Sequence, residues 1–334
     1  MTPLQPASEN HASMPPPTRP GRMAKLQWLE DFSLPLIFAL LFILLSLSVD
    51  YFFSWQNMMG LALSVSQIGM VACSMMFCLA SRDFDLSVGS IVAFAGVLCA
   101  TVINASGSIT LGIAASLCAG ALIGGLNGVV IAKLRVNALI TTLASMEIVR
   151  GLAFITSDGQ AVGVADMAFF ELGNAIWLGV PLPVWIAILC FILFAVLLNK
   201  TVYGRNTLAI GGNPEAARLA GVQVNATRIT IFLIQGVIAA LAGIILAARI
   251  TSGQPNAAQG FELNVISACV LGGVSLMGGR ATVSGVLVGV LIMGTVQNAM
   301  NLLNIDTFYQ YLVRGGILLT AVLADQLKHR HGDR

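Results

Sequence analysis

The hydrophobic pattern of this chain consists of long apolar runs separated by short clusters of charge. Six runs contain no Asp, Glu, Lys or Arg, and they cover residues 32–49, 51–81, 86–132, 172–199, 229–248 and 281–305. An α-helix needs about 20 apolar residues to cross the hydrocarbon core of a bilayer. The run at 86–132 is long enough for two crossings, with a turn at 104–108. The pattern predicts an all-α, polytopic membrane protein.

Composition agrees with a membrane protein. Hydrophobic residues make up 57% of the 334 residues and charged residues only 10%, whereas a soluble domain carries about 25% charged residues. The net charge of +2 gives no indication of a nucleic-acid partner. The three histidines, His11, His329 and His331, lie in the two tails. We therefore expect neither a metal site nor His-based catalysis within the membrane body.

The distribution of Lys and Arg predicts the topology, because these residues mark the cytoplasmic side of a membrane. Basic clusters place the N-terminus, the loop at 133–135, the loop at 200–228 and the C-terminus inside, and the acidic stretch at 151–199 outside. The simplest arrangement has ten helices, at 32–50, 58–80, 86–104, 110–132, 137–156, 182–200, 228–248, 262–278, 282–302 and 308–326. The eighth is short and Gly-rich, so it can also be a broken or re-entrant element.

This topology predicts one membrane domain between two tails. Residues 1–25 are rich in Pro, Ser and other polar residues, which is typical of a disordered segment, and they form a cytoplasmic tail. Residues 26–327 form the membrane domain, with an inner loop at 201–227, and 328–334 form a second cytoplasmic tail.

A short internal sequence similarity suggests an inverted repeat. Gly120 and Gly124 precede Arg150 by 30 and 26 residues, and Gly285 and Gly289 precede Arg314 by 29 and 25 residues. With ten helices the two copies lie five helices apart and run in opposite directions, an arrangement found in many transporters. Coincidence is an open alternative, because Gly is common in this chain.

The inner loop contains a short helix with both ends specified by sequence. Asn213 can cap its N-terminus, Pro214 suits the first helical position, and Gly221 suits the left-handed position after its end. So few residues cannot hold a helix alone in water. The helix must therefore dock, either on its own protein or on another chain.

This loop also carries a family resemblance. Glu215-Ala-Ala-x-x-x-Gly221, followed ten residues later by Ile231, resembles the coupling-loop motif of ABC importer permeases. The segment 204–213 and the sequence Asp85-Leu-Ser-Val-Gly-Ser90 are similar to the sugar-importing branch of that family, which includes ribose and xylose permeases. The segments 137–144 and 298–305 are most similar to L-arabinose permeases, and the resemblance extends from about residue 30 to 326.

The resemblance implies a type II ABC importer permease architecture and a division of labour between chains. Two permease copies would form the pathway in the inner membrane, with a cytoplasmic ATPase below and a periplasmic sugar-binding protein above. The residues that it assigns to ATPase coupling are Asn213, Pro214, Glu215, Ala216, Ala217, Arg218 and Gly221. ATP and magnesium would be used by the partner. The chain has no GxxxxGK[ST] phosphate-binding loop, so it is expected to bind no cofactor and to be a transporter subunit rather than an enzyme.

Polar residues within the apolar body are candidates for the pathway or for structural contacts, since a charge at a helix centre costs about 2.5–3.5 kcal/mol. These candidates are Asp85, Ser87, Glu147, Arg150, Asn298 and Asn301. Glu147 and Arg150 are three residues apart and can pair on one helix face. Asp83-Phe-Asp85 is superficially similar to metal-binding DxD pairs, but the chain lacks a second acidic cluster, and no metal site is expected.

Two other function classes remain to be weighed. An ion-coupled secondary sugar transporter would need a buried acid such as Glu147 or Asp85, and a membrane enzyme would need a nucleophile, metal or acid–base site that the sequence does not contain. Among sugars, the resemblance favours L-arabinose, with ribose, xylose and galactose as alternatives.

Overall fold

The computed structural model describes the backbone of residues 20–332, and the side chains of residues 34–323 and of Gln326. Within this range the chain forms thirteen α-helices and four strands of two residues each. The helices are α1 (Pro20–Ser48), α2 (Trp55–Ala80), α3 (Val88–Ser106), α4 (Ile109–Ala132), α5 (Ala138–Thr156), α6 (Met167–Asn174), α7 (Leu182–Lys200), α8 (Val202–Gly212), α9 (Pro214–Leu219), α10 (Val224–Ile250), α11 (Phe261–Leu271), α12 (Val283–Leu302) and α13 (Thr307–Gly332). The strands are β1 (Val162–Gly163), β2 (Ile176–Trp177), β3 (Val180–Pro181) and β4 (Ser252–Gly253).

Each of the ten predicted membrane helices has a counterpart in the fold, and the polytopic all-α class is confirmed. In the described part of the chain, seven helices are both long enough and apolar enough to cross a membrane: α2, α3, α4, α5, α7, α10 and α12. Two shorter apolar helices cover Leu34–Ser48 within α1 and Phe261–Leu271. The sequence pattern did not predict α6 or α8, which are short and lie between the apolar runs.

The predicted ends of the first and last helices were wrong. The structure has α1 starting at Pro20 and α13 continuing to Gly332, so both helices include residues of the two predicted tails, 20–25 and 328–332. The charged residues in these stretches ended the apolar runs, but a helix can continue with charged residues once it has left the hydrocarbon. Residues 1–19 and 333–334, the rest of the two predicted tails, lie outside the described residues.

The bundle has two distinct ends. The α9 end contains α8, α9, the α2–α3 connection and the α4–α5 connection. The β end contains two antiparallel strand pairs, β1 with β4 and β2 with β3. The Asn104 side chain, near the end of α3, donates a 2.8 Å hydrogen bond to the Gly163 carbonyl of β1, which fastens the α3–α4 hairpin to this end.

The two halves of the chain, α1–α7 and α8–α13, are interlocked, because α2 and α10 each pack against helices of the other half. The long helix α2 of the first half packs against α11 and α12, whereas α10 of the second half packs against α3 and α4. The backbones of α4 and α10 touch directly: a Cβ atom on Gly124 would collide with the Phe232 carbonyl, and one on Gly236 with the Gly120 carbonyl. Small residues allow helices in a membrane to approach this closely.

Two segments interrupt the helical pattern inside the bundle, at 82–87 before α3 and at 251–260 before α11. With eleven residues, α11 is about 16 Å long, which is too short to cross a bilayer. The preceding segment follows α3, because Gly253 lies against Gly96 and Ala258 lies against Gly89. The weak eighth helix of the sequence pattern is therefore a short helix preceded by a non-helical segment that enters the bundle.

The two similar segments run in opposite directions, as predicted. Helix α5 starts at the α9 end, whereas α13 starts at the opposite end, where Gln310 donates a hydrogen bond to Asn301. Their contacts differ, however. Gly120 and Gly124 pack on α10, whereas Gly285 and Gly289 pack on α11. The inverted arrangement is therefore a matter of helix direction and not of equivalent side-chain contacts.

Replacing Gly124 with Val should destabilise the protein by about 1–3 kcal/mol, because overpacking forces α4 away from α10. The matched control is Gly125→Val, since a Cβ at Gly125 meets only the Leu233 side chain at 3.9 Å. Both changes add the same side chain to the same helix. Thermal unfolding in detergent should show a lower Tm for the first variant alone; equal effects would contradict this packing.

Candidate coupling helix and embedded polar residues

The helix α9 is short, and its own sequence fixes its N-terminus. The Asn213 side-chain oxygen accepts hydrogen bonds from the backbone N–H groups of Glu215 and Ala216, both at 3.0 Å. Pro214 occupies the first turn, where a missing N–H costs nothing.

The C-terminus of α9 is closed by Gly221, which has a φ of +87°. The Gly221 N–H donates to the Arg218 carbonyl and the Val222 N–H donates to the Ala217 carbonyl, both at 3.0 Å. Glycine is favoured at such a position because it lacks a Cβ.

Most of α9 faces away from the rest of the chain. Ala217 is its one buried residue, and it rests against the body of the protein. Glu215 and Arg218 form an exposed ion pair at 2.5 Å, which stabilises the helix only slightly. Leu219 is 88% exposed, although it is a large apolar side chain in a polar loop. The sequence interpretation missed Leu219, because it considered the caps and the small residues only.

A cavity of about 1000 Å³ opens next to α9. The α2–α3 connection, the α4–α5 connection and the segment from α9 to the start of α10 form its walls. Its charged lining residues are Arg82, Arg135, Arg218, Arg228, Asp83 and Glu215. With four arginines against two acids, this groove beside α9 is basic.

Asp83 and Arg228 form the best-buried ion pair among the described residues. The Arg228 Nε lies 2.9 Å from an Asp83 carboxylate oxygen, and the exposed fractions of the two side chains are 24% and 4%. Burial raises the pKa of Asp83 from 3.8 to about 6, and the charge of Arg228 and a hydrogen bond from Ser81 oppose the rise. The pair connects the α2–α3 connection to the first turns of α10.

Asp85 and Ser87, two predicted site residues, belong to one buried network. One Asp85 oxygen accepts hydrogen bonds from the Ser87 backbone N–H at 2.9 Å and from its hydroxyl at 2.5 Å. The Asn127 side chain donates to the same hydroxyl at 3.1 Å. The second Asp85 oxygen is buried and has no hydrogen-bond partner among the described residues.

Glu147 and Arg150 do not form the ion pair that their spacing suggested. Among the described residues, salt bridges join Arg218 to Glu215 and Arg228 to Asp83. Arg150 instead donates 2.7 Å hydrogen bonds to the carbonyls of Pro255 and Ala257, in the non-helical segment before α11. The physical reason is that these carbonyls have no helical partner and lie within reach of the guanidinium. Glu147 is exposed on the single chain, at the middle of α5.

Asn298 and Asn301 lie together at the β end and make interhelical contacts. Asn298 and Asn57 of α2 exchange two side-chain hydrogen bonds, at 2.8 and 2.9 Å. The Gln310 side chain of α13 donates to Asn301 at 3.0 Å. Both residues therefore join α12 to neighbouring helices.

The six pathway candidates do not form one site. Asp85 and Ser87 lie in the α2–α3 connection, Glu147 and Arg150 on α5, and the two asparagines at the β end. No group of three or more His, Cys, Asp or Glu side chains in the described part of the chain is arranged to hold a metal ion. Asp83 and Asp85 have different partners, Arg228 and Ser87.

Replacing Arg228 with Gln should destabilise the protein by about 1–3 kcal/mol at pH 8, since it leaves the buried Asp83 carboxylate without its cation. The loss should be smaller at pH 5. Without Arg228 the folded-state pKa of Asp83 rises further above 3.8, and a carboxyl with a raised pKa destabilises the fold as the pH rises through that window. Thermal unfolding at both pH values measures this difference. The double variant Arg228→Gln/Asp83→Asn should recover most of the loss at pH 8, whereas equal losses at pH 5 and pH 8 in the single variant would refute the interpretation.

Comparison with known proteins places this architecture in a family. The family model described as branched-chain amino acid transport system / permease component matches residues 57–322. The chain is 59% identical over 301 residues to the L-arabinose transport system permease protein AraH of Escherichia coli (strain K12), covering 90% of this chain and 92% of that protein. It is 55% identical over 302 residues to the L-arabinose ABC transporter permease protein AraH of Azospirillum brasilense, covering 90% and 89%.

A ribose permease is also similar. The chain is 39% identical over 308 residues to the ribose import permease protein RbsC of Escherichia coli (strain K12), covering 90% of this chain and 95% of that protein. No solved structure matches the chain. By its matched length and its relatives, the chain belongs to the ABC transporter permease-component family, as a multi-pass inner-membrane transporter subunit and not an enzyme.

Proposed function

We propose that this chain is the membrane-spanning permease of an ATP-driven bacterial importer whose substrate is L-arabinose. The observation that carries the substrate is the identity of 59% and 55% to two L-arabinose permeases over 90% of the chain, against 39% to a ribose permease. The family description names branched-chain amino acids, but these relatives are named for sugars. A neutral sugar also needs hydroxyl-compatible polar walls rather than a fixed charge partner.

A permease component of an ABC importer works with a separate ATPase and a periplasmic substrate-binding protein. We assign the ATPase contact to α9, with Asn213, Pro214, Glu215, Ala216, Arg218 and Gly221 as its shaping or contacting residues and Ala217 as its attachment to the body. The exposed Leu219 beside a basic groove supports this assignment. ATP and magnesium are then used by the ATPase, and this chain binds no cofactor.

The α9 end faces the cytosol in this proposal, because Lys and Arg are retained on that side. The basic residues in its connections and loop are Arg82, Lys133, Arg135, Lys200, Arg205, Arg218 and Arg228. The β end carries Asp158, Asp166 and Glu171. Since α1 precedes α2 by one crossing and α13 follows α12 by one, both termini are cytoplasmic.

A second copy of the chain completes the pathway. Glu147 is exposed at the middle of α5, and a carboxylate in contact with lipid there would cost about 2.5–3.5 kcal/mol. Its face of α5 is therefore turned toward a polar pathway between two copies, where the carboxylate can accept hydrogen bonds from sugar hydroxyls. Asp85, Ser87 and Arg150 position the non-helical segments beside this pathway, and Asn298 and Asn301 hold its periplasmic end.

The ion-coupled alternative is weaker. It requires a buried acid that binds and releases the coupling ion, but Asp85 is held by the Ser87 hydroxyl and backbone N–H. The family also consists of permease components. Uptake that survives collapse of the proton gradient while ATP is preserved would separate the two functions.

Leu219→Asp should abolish the ATPase contact, because an aspartate in an apolar contact weakens binding by about 2 kcal/mol or more. In cells that lack their own L-arabinose transport, the chain is produced with its ATPase and binding protein. We expect the variant to reach the membrane but to lose both the co-purifying ATPase and labelled L-arabinose uptake. The wild type should take up L-arabinose, and excess unlabelled ribose, xylose or galactose should compete weakly.

The matched control is Leu178→Asp, which alters an exposed leucine at the opposite end. It should keep the ATPase bound. Full ATPase binding and uptake in Leu219→Asp would refute the coupling assignment, and wild-type uptake of ribose in preference to L-arabinose would refute the substrate.

Glu147→Leu should lower L-arabinose uptake about tenfold or more, whereas Glu147→Gln should keep a larger share, since an amide still hydrogen-bonds sugar hydroxyls. Membrane level and ATPase co-purification should be unchanged in both. If Glu147 instead faced lipid, Glu147→Leu would raise stability and leave uptake unaltered. Paired uptake and thermal-unfolding measurements distinguish these outcomes.

A further inference from the structure

Arg82 has an unusual backbone for a residue with a side chain. It follows the C-terminal end of α2 and has a φ of +66°, in the left-handed region that favours glycine. A glycine would close α2 at this position without strain. Seven other non-glycine residues in the described part of the chain share such a φ. The backbone alone therefore assigns no role to Arg82, and its role is inferred from the contacts of its side chain.

The Arg82 side chain joins two segments that are distant in sequence. Its Nε donates a 2.6 Å hydrogen bond to the Met277 carbonyl, and its Nη2 donates a 2.8 Å hydrogen bond to the Gly212 carbonyl. The planar guanidinium holds its donors in a fixed fork, so the two carbonyls are also held relative to each other. A lysine has one ammonium group on a flexible stem and cannot reproduce this geometry.

Direct backbone contacts complete the joint. The Gly279 N–H donates a 2.9 Å hydrogen bond to the Ala80 carbonyl. A Cβ atom on Gly211 would collide with that carbonyl and with the Gly279 nitrogen. We call residues 80–83, 211–213 and 277–279 the Arg82 junction.

The Arg82 junction connects α9 with both interrupted elements of the bundle. Gly212 immediately precedes Asn213, the N-cap of α9. Residues 277–279 lie between α11 and α12, and residues 82–87 lead into α3. Asp83, next to Arg82, pairs with Arg228 near the start of α10. A displacement of α9 therefore reaches α3, α10 and α11 through contacts around one arginine.

The exposure of Arg82 argues against a purely structural role. Arg82 and Gly212 are exposed, and Met277 is 53% exposed, so water can reach the carbonyls if the side chain is removed. Loss of the Arg82 guanidinium therefore leaves no buried polar group without a partner, and the fold can persist.

We propose that Arg82 is a positioning residue that transmits the movement of α9 to the α2–α3 and α11–α12 connections. This inference rests on the proposed contact between α9 and the ATPase. It assigns to Arg82 the coupling of ATP hydrolysis to sugar movement, and not the binding of either the ATPase or the sugar.

The test uses the complete transporter, with permease, ATPase and binding protein, reconstituted in lipid vesicles. The variants are Arg82→Gly, which removes the side chain and suits the backbone, Arg82→Gln and Arg82→Lys. The matched control is Arg280→Gln, because Arg280 is an exposed arginine on the same α11–α12 connection. Its side chain makes no hydrogen bond or salt bridge to another described residue. Labelled L-arabinose transport, ATP hydrolysis and thermal unfolding are measured for each.

We expect Arg82→Gly to assemble normally, to keep or raise the Tm, and to lower the sugar transported per ATP about tenfold, within the range of typical coupling between sites. Stimulation of ATP hydrolysis by the sugar-loaded binding protein should also be lost. Arg82→Gln should behave likewise, Arg82→Lys should recover little, and Arg280→Gln should match the wild type.

Two outcomes would overturn the inference: a wild-type ratio of sugar to ATP in Arg82→Gly, whatever its Tm, or loss of the bound ATPase in the Arg82 variants. Leu219→Asp separates this inference from the proposed function. If Leu219→Asp releases the ATPase while the Arg82 variants couple normally, this inference alone fails. If Leu219→Asp keeps the ATPase and uptake, the assignment of α9 fails.

Discussion

A backbone buried inside a bundle must satisfy its own hydrogen bonds, and this constraint governs the two places where the described bundle departs from helix. Residues 82–87 and 251–260 have carbonyls without helical partners, and side chains of α5 lie next to both segments. Arg150 donates to the Pro255 and Ala257 carbonyls, and the Thr142 hydroxyl lies 3.3 Å from the Phe84 carbonyl. Both interruptions are thus supported by one helix, whose exposed side carries Glu147. A movement of α5 would therefore affect both segments.

At the α9 end, a buried charge is likewise compensated by a side chain from another segment. The Asp83 carboxylate is buried at the start of one interruption, and Arg228 compensates it from the first turns of α10. Arg82, one residue earlier, holds carbonyls from two other connections. The polar groups at this end therefore link α9 with the segments inside the bundle. The exposed surface of α9 is small, but it is directly connected to these contacts.

Features that depend on a local sequence pattern could be predicted from the sequence. Apolar runs located the ten helices, because crossing the hydrocarbon sets a minimum length, and Asn213, Pro214 and Gly221 located α9, because caps act within a few residues. Contacts between distant segments were not predictable in the same way. The spacing of Glu147 and Arg150 shows that they share a helix face, but it cannot show that backbone carbonyls at 255 and 257 compete for the guanidinium. Arg82 was missed for the same reason, since its partners are carbonyls, which no side-chain pattern records.

The packing of α2 and α10 against helices of the other half restricts how one chain can change shape. Backbone contacts seat α10 against α4 at Gly120 and Gly124 and against α3 at Gly243. Because α2 also packs against α11 and α12, the two halves cannot separate by a simple hinge motion. Strands β1 and β4 also connect the two halves, because β1 belongs to the first half and pairs with β4 of the second. Opening a passage by splitting one chain would break all of these contacts together. Each chain is therefore one interlocked unit, and in the proposed pair of copies the passage opens between the two molecules.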